Sequence, residues 1–460
     1  MKTKLSKYLI SICAVTCALS FSRCGKQDAF LDKKPNSALA VPNTLSDYEL
    51  LLKNEEIFNA YSSPSLGNLA CDDIYITDDT YNSSETVADN VYTFSKDMYQ
   101  GTTVYLDWSG PYQQVYYCNV VLDGLSKITP DAGQLTRYNT IKGEALFFRA
   151  YAFYNLVQNF ALPYDAAGSA ADPGIPLVNS SDINIRYGRG TVQQVYDKVV
   201  NDINDAKGLL PASLTSVTKP CRITCDAFLA RLYLAVRKYG TAYTYANSCL
   251  EAKKELVDYN SITPSRNVLS KTPLAEDIFH TALAGYSGLY AAQMDSTLYN
   301  SYEPGDLRKS YFFRTATSGI GLKFRGTYDF KGNYYSGLAT DEMYLIRSEC
   351  SARSGNLAAS LADLNKLLIN RYQTGQFIPI TAGNKDTLLR RILLERKKEL
   401  FLRGLRWTDL RRLNKEESYK TTVTHKINGI IYTLLPDDPK YALAIPDQEV
   451  QLTGIQQNQR

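Results

Sequence analysis

From Asp131 onward, apolar residues recur three and four positions apart. The first such stretch is "YNTIKGEALFFRAYAFYNLVQNF", Tyr138 to Phe160, and the period predicts an amphipathic helix. A connection rich in Pro, Gly and Ala follows, "LPYDAAGSAADPGIPLVNSS", in which no helix can persist. Thr191 then stands as an N-cap before "VQQVYDKVVNDINDAKGLLP", where Val192, Val195, Val199, Ile203 and Ala206 form one stripe and Pro211 ends the helix. Two later segments, "CDAFLARLYLAVRKYGTAYTYANSCLEA" and "DEMYLIRSECSARSGNLAASLADLNKLLINRY", each read as two helices joined by a glycine turn, at Gly240 and Gly355. Alanine-rich facing sides let such helices approach closely, as in tetratricopeptide-type hairpins. Between the two, Ser261 to Thr340 loses the helical rhythm and is rich in Tyr, Gly, Ser and Thr. A span that long needs short strands of its own or a function. Beyond Asn414, "INGIIYTLLP" and "YALAIP" predict a short closing hairpin.

One segment strains the pattern. Ile392 to Asn414, "ILLERKKELFLRGLRWTDLRRLN", sets seven basic and three acidic residues among leucines and one of the chain's two tryptophans. Read as a helix, it places Leu393, Leu400 and Trp407 on one face, with Arg396 and Arg403 on the same stripe. Arginines on an apolar stripe need partners, and Glu395, Glu399 and Asp409 are near enough in sequence to supply them. The expectation is a helix held by apolar packing and satisfied ion pairs, not a basic arm.

Charge supports that reading. The chain has 460 residues and a net charge of +4. Its start carries Lys2, Lys4 and Lys7, the apolar run "YLISICAVTCALSF", and "SRC" ending at Cys24, the layout of an export signal over residues 1–23 with lipidation of Cys24. Removing residues 1–23 takes away four basic residues and no acid, which brings the net charge to zero. A balanced chain has no global field to gather nucleic acid. With 2 histidines against 35 tyrosines, multi-imidazole metal centres are excluded and histidine acid–base chemistry has little scope. Cys71, Cys118, Cys221, Cys225, Cys249 and Cys350 show no disulfide framework and read as small packed residues.

"ERKKELFLRGLRWTDLRRLN" resembles the C-terminal signature of the SusD/RagB family of surface lipoproteins from Bacteroidetes, with Glu395, Arg396, Glu399, Arg406, Trp407 and Asp409 as its structural residues. "FLDKKPNSALAVPNTLSDYELLL", "KGEALFFRAYAFYNLVQNF", "GRGTVQQVYDKVVNDINDAKGLLP", "DEMYLIRSECSARSGN", "LADLNKLLINRY" and "YALAIPDQEV" resemble further blocks in the family's order. Arg403 departs from the pattern, standing where an acid often precedes the glycine. The resemblance implies a predominantly α SusD-like fold, a single nutrient-binding domain over 24–460 with a Tyr-rich insertion at about 261–340. It implies a scaffold of tetratricopeptide-type hairpins, with irregular loops and a few short strands as the ligand face. It further implies lipid anchoring on the outer face of the outer membrane, a SusC-like TonB-dependent transporter as partner, and capture of glycans for import. RagB-like capture of oligopeptides is the alternative.

Glycan capture needs flat aromatic faces ringed by amides, carboxylates and arginines. Trp108 in "YLDWSGPYQQVYYCN" is the first candidate, flanked by Asp107 and Tyr112. Tyr75 and the tyrosines of the 286–335 region, particularly Tyr334 and Tyr335, are candidates on loops. "CDDIYITDD" groups Asp72, Asp73, Asp78 and Asp79, oxygen ligands suited to calcium if the loop gathers them. No other cofactor is expected. Phosphate loops, nucleophile elbows and zinc-protease pairs are absent from the sequence, so a binding protein is expected, with a surface glycoside hydrolase ranked behind both capture readings.

Overall fold

The computed structural model describes residues 42–460 apart from 104, 266, 318 and 320. The export segment, Cys24 and the start of the first family block lie outside the described residues. The chain divides at Asp47. In the first unit, Asp47 Oδ2 accepts the backbone N–H groups of Asn43 and Thr44 at 3.1 and 3.0 Å. The second unit is Tyr48–Arg460.

Among the described residues, nine helices carry the scaffold: α1 Leu106–Leu125, α2 Leu135–Phe160, α3 Val192–Leu209, α4 Arg222–Ala235, α5 Tyr239–Ala252, α6 Thr340–Arg353, α7 Leu357–Leu368, α8 Lys385–Glu399 and α9 Arg406–Leu413. Neighbours in sequence pack on one another: α1 on α2, α2 on α3, α4 on α5, α6 on α7, with α5 and α8 also against α6. Helix α2 is buried almost all round from Ile141 to Phe160. Its Phe147 and Tyr151 meet Phe228 of α4 and Phe279, with ring centroids 5.1–6.0 Å apart. Helix α3 starts as expected. Thr191 Oγ1 accepts the Gln194 N–H at 3.2 Å and Gln194 returns a bond to the Thr191 N–H at 2.8 Å, a reciprocal capping box.

The predicted hairpin turns divide. Gly355 sits between α6 and α7 at φ +89, where a side chain would be strained. Gly240 lies inside α5, and the α4–α5 turn is made by Val236 to Lys238 with Arg237 at φ 59. The closing hairpin also differs. β9 Val423–Ile427 pairs antiparallel with β10 Ile430–Leu434 around Asn428 and Gly429, both at positive φ, a two-residue turn that matches strand twist. "YALAIP" forms no strand. The other ribbons, each of two short antiparallel strands, are β1 Ile74–Tyr75 with β5 Gln293–Met294, β2 Pro173–Pro176 with β3 Arg189–Thr191, β4 Asp277–Phe279 with β8 Leu338–Ala339, and β6 Phe313–Thr315 with β7 Leu322–Phe324. The span 261–340 is therefore built from small ribbons and single helical turns.

The charged segment is two helices, not one. The chain breaks between Glu399 and Arg406 with Leu402 at φ 52 and Gly404 at φ 76, where Gly404 supplies the freedom the corner needs. Both halves are buried among ion pairs. Arg396 Nε meets Asp409 Oδ2 at 2.8 Å, as the sequence suggested. Glu395 and Glu399 instead serve distant arginines: Arg308 reaches Glu395 at 2.7 Å, Glu399 at 2.9 Å and its neighbour Asp306 at 2.7 Å, while Arg371 reaches Glu399 at 2.7 Å and Glu276 at 2.8 Å. Arg403 pairs with Asp341 at 2.8 Å. Arg412 forks onto Glu349 at 2.7 and 2.8 Å and holds Asp409 through Nε. That fork keeps the Glu349 carboxyl ionised despite burial, its pKa drawn down to about 2. Trp407 stacks on Tyr441, and its ring passes so close to Gly67 that a Cβ there would sit 2.7 Å from it.

Removing one partner of a buried pair strands the other in low dielectric. Arg412→Ala is expected to lower unfolding free energy by about 3–5 kcal/mol in urea titrations, whereas Lys331→Ala, on an exposed side chain, shifts it by less than about 0.5 kcal/mol.

Candidate functional site

Where β1–β5 and β6–β7 meet the loop after β7, the protein surrounds a cavity of about 860 Å³. Its apolar wall is aromatic. Tyr290 and Tyr334 lie 4.9 Å apart at 42°, Phe324 backs Tyr334 at 5.8 Å, and Phe401, from the corner between α8 and α9, supports Phe324 at 5.2 Å. Tyr290 keeps 39% of its surface exposed and Tyr334 only 8%, so Tyr290 offers the open face and Tyr334 holds it. On the polar wall, Gln293 stands opposite Tyr75 in the β1–β5 register, and the Tyr75 hydroxyl donates to Gln293 Oε1 at 2.6 Å. Thr77, Asp79 and Thr80 close one side. Arg314, Lys323, Arg325 and Lys331 occupy the rest.

The sequence-predicted residues fall on both sides of this boundary. Tyr334 lines the cavity, and Tyr75 positions a residue that does. Tyr335, its ring 99% covered, points the other way: its hydroxyl donates to Asp277 Oδ1 and to the Leu338 carbonyl, each at 2.8 Å. Trp108 is corrected as well. It is 5% exposed and wedged against Tyr112 and Phe160 at 4.8 and 5.0 Å, because the first turn of α1 lies on the end of α2 and needs a large apolar filler. Asp107 caps a neighbour: Oδ2 accepts the backbone N–H groups of Ser65 and Leu66 at 2.8 and 2.7 Å, and burial pushes its carboxyl up to about 7. Tyr112 donates to the Pro176 carbonyl at 2.9 Å. None of these three lines the cavity.

The proposed calcium loop does not assemble. Asp72 is clamped by Arg406 at 2.6 Å and Lys397 at 2.9 Å, which hold its carboxyl well below the usual carboxylate range. Asp73 is buried, its carboxyl raised by burial to about 6, Asp78 accepts the Asn428 N–H at 2.8 Å, and Asp79 faces the cavity. Among the described residues, Glu276, Asp341 and Glu399 are the carboxylates close enough together to hold an ion. Arg371, Arg403 and the Tyr328 hydroxyl already satisfy them, so a cation would duplicate charge that is present. The six internal cysteines are free and buried.

Sequence reasoning missed Phe324, Gln293 and the cationic wall. A signal for the last was present: residues 313–337 contain Arg314, Lys323, Arg325 and Lys331 against the single acid Asp329.

The helical hairpins thus serve as a scaffold for a cavity built from ribbons and loops. Comparison with known proteins gives the family of the chain. A family model described as starch-binding, associating with outer membrane, matches residues 29–234, and the model of the SusD family matches residues 230–458. The chain belongs to the SusD/RagB family. It is 24% identical over 370 residues to SusD-like protein P2 of Formosa agariphila, covering 66% of this chain and 71% of that one. Its fold matches a SusD superfamily protein of Bacteroides thetaiotaomicron with TM-score 0.72 at 22% identity, over 91% of this chain and 100% of the other. It also matches a SusD-like carbohydrate binding protein of Bacteroides vulgatus with TM-score 0.70 at 20% identity, over 90% and 97%. The family is associated with the outer membrane, and among the described residues no helix is long and apolar enough to cross a membrane.

Truncating Trp108 should therefore act on stability. Trp108→Ala is expected to lower unfolding free energy by about 3–5 kcal/mol, measured by urea denaturation, while the folded fraction keeps its ligand affinity. Loss of affinity at unchanged stability would return Trp108 to the binding face.

Proposed function

We propose that this protein captures glycans at the cell surface and delivers them to a partner TonB-dependent transporter of the outer membrane, held there by lipid on Cys24. Family membership supports the ligand class, and the structurally similar carbohydrate binding protein of Bacteroides vulgatus points the same way. The observation that carries the reading is the half-open Tyr290 ring, fixed against Tyr334 and Phe324 on the wall of a cavity large enough for a few sugar rings. Sugar rings present apolar C–H faces that stack on such a ring, and the surrounding hydroxyls, amide and guanidinium groups serve their hydroxyls.

Binding without hydrolysis agrees with the lining. Asp79 is its one carboxylate among the described residues, and cleaving a glycosidic bond by the usual route takes two across the scissile bond. Arg314 and Gln293 would orient the ligand, and Tyr75 would act through Gln293.

Tyr290→Ala is expected to weaken oligosaccharide binding at least fivefold in isothermal titration, about 1 kcal/mol or more, with urea stability nearly unchanged. Tyr243→Ala, on a ring of similar exposure in α5, is expected to leave affinity alone. Binding that ignores Tyr290→Ala would refute this cavity as the glycan site.

A further inference from the structure

The cavity's charge is out of keeping with the rest of the molecule. Elsewhere seven arginines, Arg308, Arg347, Arg371, Arg396, Arg403, Arg406 and Arg412, meet carboxylates within 2.6–2.9 Å, while Arg411 and Arg460 are each held by backbone carbonyls. Among the described residues, Arg314, Lys323, Arg325 and Lys331 on the cavity wall form no ion pair, and Asp79 is the one acid of the lining; Asp329, whose Oδ1 accepts the Lys331 backbone N–H at 2.5 Å, is turned to His280 and Asn333.

Geometry sharpens the imbalance. In the β6–β7 ribbon Arg314 and Lys323 are direct cross-strand partners, so their side chains share one face. Like charges set opposite one another on a strand pair are destabilising. Lys323 is held at the ribbon by the Ala291 and Ala292 carbonyls, and both burial and Arg314 depress its pKa. Arg314 Nε and Arg325 Nε are shielded from solvent and have no hydrogen-bond acceptor. Arg325 spends only one terminal nitrogen, on the Ser310 carbonyl at 2.7 Å. Lys331 extends from the rim, exposed. Guanidinium donors buried without acceptors, next to an uncompensated like-charge pair, make a site that gains when an anion enters.

We propose that the cavity selects oligosaccharides bearing anionic groups, carboxylate or sulfate, over neutral ones, with Arg314 and Lys331 as the cations that read the charge and Tyr290 as the ring that stacks the sugar. The inference rests on the glycan-capture reading and adds the chemistry of the glycan. Arg314 contributes a planar fork suited to two oxygens of one carboxylate or sulfate, and Lys331 contributes a mobile point charge at the entrance. Lys323 and Arg325, tied to carbonyls, raise the local potential without needing to move.

The test is isothermal titration of the full mature chain with four probes of similar length: tetragalacturonate, a sulfated galactan tetrasaccharide, neutral maltotetraose, and the peptide tetra-aspartate. The expected result is at least tenfold tighter binding of one or both acidic sugars than of maltotetraose, falling as NaCl is raised from 50 to 500 mM. The carboxylate and sulfate arms decide which anion is preferred. Arg314→Gln should cost the acidic sugar about tenfold or more and leave any maltotetraose affinity within twofold. Lys331→Glu, on an exposed side chain that cannot disturb folding, should cost a comparable factor. Equal affinity for neutral and acidic sugars, or acidic binding indifferent to both variants, would overturn the inference and leave glycan capture standing. Binding of tetra-aspartate with none of the three sugars would overturn both.

Discussion

The interaction on which the structure depends is the set of buried charges that ties α8 to the irregular segment before α6. Glu399 takes two arginines from different parts of the chain, Arg308 at 2.9 Å and Arg371 at 2.7 Å, and Arg371 continues to Glu276. Lys398 closes the other side through Glu395 and Asp306. Two tyrosines of the segment seal the set, Tyr302 by donating to the Lys398 carbonyl and Tyr328 by donating to Glu276. Ion pairs this deep repay little net free energy, because each charge has been taken out of water. What they impose is arrangement: any other packing of 261–340 on α8 leaves a bare charge in the core. A segment of short ribbons with little cooperative hydrogen bonding of its own is thereby fixed in one position.

That fixation reaches the cavity directly. Phe401, two residues past Glu399, supports Phe324, which backs Tyr334, which holds Tyr290. On the opposite wall Lys397 and Arg406 clamp Asp72, one turn of chain before β1 carries Tyr75 to Gln293. Rigid aromatic and amide groups at a binding face reduce the ordering cost of taking up ligand. The chain pairs most of its buried arginines with acids and leaves the cavity lining with four cations against Asp79.

Helices were legible where apolar spacing alone decides them: α2, α3, and the α6–α7 hairpin with Gly355 follow from period and punctuation. The α8–α9 corner was not, because Leu402 at positive φ is unusual for leucine and the break is enforced by tertiary pairing of Arg403 with Asp341. The family signature was readable as buried and paired, and Arg396–Asp409, Arg412–Asp409 and Lys398–Glu395 are pairs within the segment. Glu395 and Glu399 find arginines about ninety and thirty residues away, which no spacing reveals. The site was least legible. Trp108 had the right chemistry but is packed against Tyr112 and Phe160, and Tyr334 and Tyr335 are adjacent with opposite fates, because on an extended segment successive side chains face opposite ways. Tyr290 stood among the tyrosines of the 286–335 region that the sequence offered as candidates, and its distinction, exposure on a supported ring, leaves no mark in the sequence.

The central claim is that ligand enters the cavity at Tyr290, and hydroxyl-radical footprinting read by mass spectrometry tests it most directly. Tyr116, Tyr243 and Tyr290 are exposed to nearly the same extent, at 43%, 40% and 39%, so their free reactivities are comparable. With an oligosaccharide bound, confirmed by native mass spectrometry, Tyr290 should become protected while Tyr116 and Tyr243 keep their oxidation rates. A bound ligand that leaves Tyr290 as reactive as before would contradict the account.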